Sequence, residues 1–284
     1  MSPAHKLALG TVQFGLDYGI SNDGGQVDPA TVAAILETAT TLGVDLLDTA
    51  RAYGTSETVL GTHNLEAFRV VTKLAPGAAT AATVATSIDE SLRTLRRSPD
   101  ALLYHRSADY LEGQLSWREV SEIAAERGIH RLGFSLYEPD ELRRILDRGT
   151  LPAVVQVPYN LFDRRFTDLL TELHAAGTEV HVRSAFLQGL FFRDPASLPP
   201  HFSTALPRLR RIHALAEGRA DRIAALALGF VVGQSYVDRV VVGVVSPDQL
   251  RLNIEAVRRH KGLSFEVNGL ICTDLNIINP SRWP

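Results

Sequence analysis

The sequence is poor in the residues that build several kinds of site and scaffold. Cys272 is the single cysteine among 284 residues, so no disulfide closes within the chain and no multi-cysteine zinc site is available. Positive charge is not in excess: 29 Lys and Arg face 32 Asp and Glu, a formal net charge of -3. Tracking a phosphate backbone takes a basic surplus, so no nucleic-acid partner is expected. Long apolar runs are missing. The longest, Ile223 to Val232, is far short of the roughly 20 residues that cross a bilayer. The start, MSPAHKLALG, lacks the extended apolar stretch of a secretion signal. The expectation is a cytoplasmic protein without a membrane partner. The nine histidines include no H-x-x-x-H or H-x-H pair, so metal-assisted chemistry is not expected. No G-x-G-x-x-G follows an early strand, which speaks against a doubly wound open sheet.

What is present is the composition of a folded domain, with 45% hydrophobic residues against 21% charged, which excludes a disordered chain. Short apolar runs alternate with amphipathic segments along the whole length. The runs are Lys6–Leu9, Val44–Asp48, Arg69–Lys73, Ala101–His105, Arg131–Ser135, Ala153–Gln156, Glu179–Ser184 and Asp238–Val242. They are β-branched and scarcely alternate, as strands covered on both faces do. Between them, Asp28-Pro29 reads as an N-cap with proline at the first helical position, ahead of Val32, Ile35 and Leu36 on one face. Eight such repeats predict a (β/α)8 TIM barrel, a single-domain α/β fold of about 250 residues. Arg193–Pro200 reads as a surface loop, residues 204–217 as an added helix, and 261–284 as a tail folded over one barrel end. Trp117 and Trp283 read as packing residues, and Arg208, Arg210 and Arg211 as a solvated helix face.

Active sites of such barrels form at the carboxyl ends of the strands. There the sequence places Asp48, then Tyr53 in the TARAYG loop, then Lys73 and His105. Each taken alone has an ordinary structural explanation. Together they suit moving a proton at an oxygen. A free tyrosine, with pKa about 10, is a poor donor at neutral pH, and a nearby ammonium lowers that value. Asp48 supplies the counter-charge a buried ammonium needs.

The segments LALGTVQFG, LLDTARAYGTSETVLG, VVTKL, LLYHR, RLGFS, VVQVPYNLFDRR, VRSAFLQGLFF and VVVGVVSPDQLRLNIEA resemble the aldo-keto reductase superfamily. The resemblance implies hydride transfer between a nicotinamide cofactor and a small-molecule carbonyl substrate. It implies Tyr53 as general acid, Lys73 and Asp48 as its tuning pair, and His105 as the residue that orients the substrate. Ser135 and Gln156 would hold the nicotinamide carboxamide, with Gly10 and Thr11 beneath the ring. Ser184, Leu187 and Gly189 would line the pyrophosphate. The run from Val244 through Ser246 and Gln249 to Asn253 would take the adenosine end.

Several positions depart from the family pattern. Leu136 follows Ser135 where an asparagine is usual. Arg183 stands where an aromatic ring often stacks on the nicotinamide, and a guanidinium plane can stack in its place and also meet phosphate, so it is counted among the cofactor-binding residues. Gln249 replaces the usual arginine for a 2′-phosphate, and Leu252 the usual glutamate. Ser246 and Arg251 remain as donors, which points to NADP (NADPH), with NAD as the alternative. Tyr18 and Asn160 are the candidate substrate-binding residues. With Asp17 and Arg51 they suggest a polyhydroxylated, sugar-like carbonyl compound. Two other functions compete: a nicotinamide-binding regulatory or redox-sensing module with poor turnover, and an epimerase that retains its nicotinamide. Oligomeric state is not legible.

Overall fold

A computed structural model of the protein describes residues 3–19, 22, 24–259 and 267–283. Eight strands form a closed parallel barrel in sequence order: β1 Leu7–Gly10, β2 Leu46–Asp48, β3 Arg69–Lys73, β4 Ala101–Tyr104, β5 Leu132–Ser135, β6 Val154–Pro158, β7 Glu179–Arg183 and β8 Arg239–Gly243. The expected strands all form, β3 with the expected bounds and the others with ends shifted by at most two residues. Main helices follow them: α1 Pro29–Leu42, α2 Ser56–Leu60, α3 Ala81–Leu95, α4 Ser107–Leu111, α5 Trp117–Ala125, α6 Pro139–Asp147, α7 Thr167–Ala175, α8 Leu206–Leu215, α9 Ala220–Val232 and α10 Pro247–Arg259. The start of α1 is built as its sequence indicates. Asp28 accepts from the Ala30 and Thr31 amides, and Pro29 opens the helix. The added helix is α8.

Alternation along the strands decides what the barrel holds. Ala8, Leu46, Val71, Ala101, Leu103 and Val154 form a separate apolar cluster, which fills the barrel interior. The larger core packs the opposite strand faces against the helices. Successive residues of a strand face opposite sides. Two residues beyond the interior cluster, the same inward face therefore presents Gly10 on β1, Asp48 on β2, Lys73 on β3, His105 after β4 and Gln156 on β6. The opposite, amino end is closed by ions. Arg69 and Arg131 both pair with Glu179, and His181 bonds the same carboxylate at 2.9 Å.

A second apolar cluster joins Leu161, Phe162, Leu187, Leu190 and Phe191 to α8, to α9 and to the tail residues Ile277 and Ile278 of α11 (Leu275–Ile278). The described part of the tail, 267–283, thus lies against the loops after β6 and β7 at the carboxyl end. Its residues 261–266 and 284 fall outside the described residues. Trp117 stacks on Phe134, and Trp283 meets Phe202 edge-on, as packing residues do. Arg208 departs from its expected role: its Nε donates to the Ile271 carbonyl at 2.7 Å, so this arginine fastens the tail. No helix among the described residues is long and apolar enough to cross a membrane.

Candidate active site

Lys73 has no solvent exposure, and burial holds its pKa below the ordinary lysine range. Its Nζ lies 2.8 Å from each carboxylate oxygen of Asp48, 3.0 Å from the Thr49 carbonyl and 3.4 Å from Tyr53 Oη. The four residues expected to converge do so: the His105 ring meets Tyr53 edge-on, with centroids 5.7 Å apart.

The electrostatics differ from the sequence expectation in one respect. Burial pushes the Tyr53 phenol well above its ordinary pKa, and the Asp48 carboxylate pushes the same way. Lys73 does not bring it toward neutrality: the charge that lowers it is that of Arg183, and burial outweighs it. Tyr53 therefore keeps its proton. His105 is pushed down to about 4 by burial, by the Lys73 ammonium and by Arg183, so its imidazole is neutral. Its Nδ1 is buried and finds no hydrogen-bond partner among the described residues.

The Tyr53 loop is held from below by a close backbone approach. A Cβ on Gly15 would fall 1.9 Å from the Tyr53 carbonyl, and Gly54 has φ +56°. Only glycine suits either position. Thr11 Oγ1, Ser56 Oγ and the Asp48 carbonyl form a buried hydrogen-bonded set under the loop. Thr11 is thus committed to the scaffold, while Gly10 ends β1 beside Asp48 and Gly243. Glu57 accepts from Thr72, Ser91, Thr94 and Arg51. Arg51 also pairs with Glu90, so it anchors the loop and does not face a substrate.

Ser135, at the end of β5, and Gln156, in the middle of β6, are register partners. Gln156 is fully buried. Its Nε2 donates to Asp48 Oδ1 at 2.7 Å, and its Oε1 has no partner among the described residues. A carboxylate only accepts, so the amide nitrogen must face Asp48, and the orphaned oxygen suits an amide N–H donor. The loop after β7 carries a run of left-handed backbone: Ser184, Leu187, Gln188 and Gly189 have φ of 62°, 48°, 52° and 91°. Such strain in non-glycine residues gathers at ligand clamps. Asn160, expected at the substrate, is fully buried and holds this loop by donating from Nδ2 to the Ser184 carbonyl at 3.1 Å. Its Oδ1 accepts from the Phe162 and Asp163 amides. Tyr18 is 41% exposed, and its hydroxyl accepts from Gln188 Nε2 at 2.9 Å.

After β8, Val244 is buried. Ser246 Oγ accepts from the Gln249 amide, and Gln249 Oε1 from the Val245 amide, so both side chains cap α10. Arg251 turns away, to Asp248 at 2.9 Å and Thr38 at 3.3 Å. Asn253 is half-buried on the same helix. Arg183 bonds the Leu136 carbonyl at 3.1 Å and lies over the Tyr137 ring, 4.2 Å from its centroid. Tyr137 and Gln188 were not legible as site residues. Each is an ordinary loop residue in sequence, and its partner lies on another loop.

No group of three or more potential metal ligands occurs among the described residues. Orphaned Gln156 Oε1, the strained β7 loop and the N-terminus of α10 instead suit an amide-bearing, phosphate-bearing group such as a nicotinamide dinucleotide. Comparison with known proteins points the same way. The chain is similar to the L-galactose dehydrogenase of Arabidopsis thaliana, 26% identical over 306 residues, covering 98% of this chain and 94% of that one. Its fold resembles an aldo-keto reductase of Bacillus halodurans in its holo form, with TM-score 0.73, 20% identity and 98% and 95% of the two chains covered. It also resembles the glycerol dehydrogenase of Gluconobacter oxydans, with TM-score 0.69, 23% identity and 97% and 92% covered. The Aldo/keto reductase family model matches residues 6–266. With a closed (β/α)8 barrel and a Tyr–Lys–Asp–His group at its carboxyl end, the chain belongs to the aldo/keto reductase family, oxidoreductases that use nicotinamide cofactors.

Proposed function

We propose that this protein is an NADPH-dependent reductase that converts a carbonyl group to an alcohol in the cytoplasm, with Tyr53 as the proton donor. The observation that carries the reading is Tyr53 Oη at 3.4 Å from a fully buried Lys73 Nζ, itself clamped by Asp48. A bound nicotinamide supplies the hydride. Tyr53 holds its proton across the neutral range, the state a donor needs, and releases it to the oxygen of the forming alkoxide, a stronger base than phenolate. The Lys73 ammonium lies beside the phenolate left behind and stabilises it at that moment. Neutral His105 donates a hydrogen bond to the carbonyl oxygen and fixes its direction.

In the same reading, Ser135 and Gln156 Oε1 hold the carboxamide, Gly10 and Thr11 lie below the ring, and Ser184, Leu187 and Gly189 line the pyrophosphate. Val244, Ser246, Gln249 and Asn253 border the adenosine end, and Asn160 acts through the loop it clamps. NADPH is preferred over NADH only modestly, by about 1–2 kcal/mol, the worth of one charge-assisted hydrogen bond. The margin is small because Arg251 is committed to Asp248 and Thr38. The test is a panel of aldehydes and ketones offered with NADPH and with NADH. Oxidation of NADPH by some of them supports the reading, and none with either cofactor contradicts it.

A further inference from the structure

Arg183 ends β7 in register with Pro158 and on the same strand face as His181, two residues below. Its guanidinium donates to the Leu136 carbonyl and, at 3.5 Å, to Ser184 Oγ, and it rests on the Tyr137 ring. No carboxylate among the described residues pairs with it. Glu138, next along from Tyr137, is taken by Arg165. At the mouth, Asp48 and Lys73 cancel, while Tyr53 and His105 are neutral. One positive charge is left over, and it belongs to Arg183. That charge bears on Tyr53, His105, Lys73 and Tyr18 alike, so it sits where the reacting end of a substrate must lie.

A half-buried cation held by two neutral acceptors and an aromatic ring is oriented but not neutralised. The planar fork of a guanidinium matches a carboxylate in two parallel hydrogen bonds. We propose that Arg183 receives a carboxylate of the substrate, so that this barrel selects carbonyl compounds bearing an acid group. The proposal rests on the reductase reading and adds the substrate class. An anion is also present on the cofactor, in its phosphates, and the strained loop at 187–189 and the start of α10 suit those.

The test compares 4-carboxybenzaldehyde with its methyl ester as substrates for the parent, Arg183→Gln and Arg183→Lys. The parent should favour the acid in kcat/KM by about tenfold or more, the worth of one charged pair of hydrogen bonds, and the preference should lie in KM. Arg183→Gln should abolish the preference. Arg183→Lys, which keeps the charge without the fork, should restore part of it. Titration calorimetry runs beside the kinetics on protein saturated with NADP⁺, using 4-(hydroxymethyl)benzoate against its methyl ester, with NADP⁺ affinity measured for each variant. Acid-selective binding that Arg183→Gln removes upholds the assignment even if neither aldehyde is turned over, an outcome that contradicts only the reductase reading. A parent that treats acid and ester alike overturns it. So does an Arg183→Gln variant that loses NADP⁺ affinity about tenfold while its acid preference persists, since Arg183 then serves the cofactor.

Discussion

The amide of Gln156 reaches across the barrel from β6 and donates to the Asp48 carboxylate on β2 at 2.7 Å. One side chain thus joins the position proposed for the carboxamide to the charge pair behind Tyr53. Gln156→Ala should weaken NADPH binding about tenfold or more, because one side chain removes both an acceptor for the carboxamide and a brace for Asp48. Fluorescence titration checks this. Unchanged affinity in a folded Gln156→Ala protein would detach Gln156 from the cofactor.

The Asp48–Lys73 pair is fully buried, so removing one member strands the other. Lys73→Met should destabilise the protein by about 3–5 kcal/mol and abolish most activity. Adding Asp48→Asn removes the stranded charge, so the double variant should regain much of the stability and none of the activity. Urea denaturation of the three proteins checks the first part and turnover the second. A double variant no more stable than Lys73→Met alone would contradict the charge argument.

His105 gives a pH dependence whose sign is fixed. Its folded pKa, about 4, lies below the ordinary 6.5, so between those values the unfolded chain binds the extra proton. Folding stability should therefore fall as pH drops from 6.5 to 4, by up to about 3 kcal/mol from this residue. His105→Gln should flatten that part of the profile. Denaturation midpoints at pH 4.5, 5.5 and 6.5 measure the difference, and parallel profiles for the two proteins would remove His105 as its source.

Cofactor choice is tested at the start of α10. Gln249 spends its side chain on a helix cap, so Gln249→Arg adds a charge there at the loss of a cap worth about 1 kcal/mol. NADPH preference should widen about tenfold in Gln249→Arg and narrow in Ser246→Ala, as read by dissociation constants for both cofactors. If neither substitution changes the ratio, the 2′-phosphate lies elsewhere.

The barrel was legible because its strands and helices carry local signals: β-branched runs, the Asp28-Pro29 cap, the spacing of Val32, Ile35 and Leu36. The four central residues were legible because strand ends gather on one face, so Asp48, Lys73 and His105 needed only their position along a strand. What escaped depends on pairings between distant loops. Arg51 and Asn160 look like substrate ligands in sequence, yet Glu57 and Glu90 claim one and the Ser184 loop the other. Arg251 looks free until Asp248 and Thr38 are seen beside it. The direction of the Tyr53 pKa is not legible because the sequence shows which charges are near, but not that burial outweighs the one that lowers it.

The most direct test of the account is a single-turnover measurement of NADPH oxidation by an aldehyde that the parent reduces, run with the parent and with Tyr53→Phe at saturating cofactor. The account expects the hydride-transfer phase to slow by at least about a hundredfold, the usual contribution of a general acid, with NADPH affinity little changed. A Tyr53→Phe protein whose single-turnover rate matches the parent would contradict the assignment of Tyr53 as proton donor.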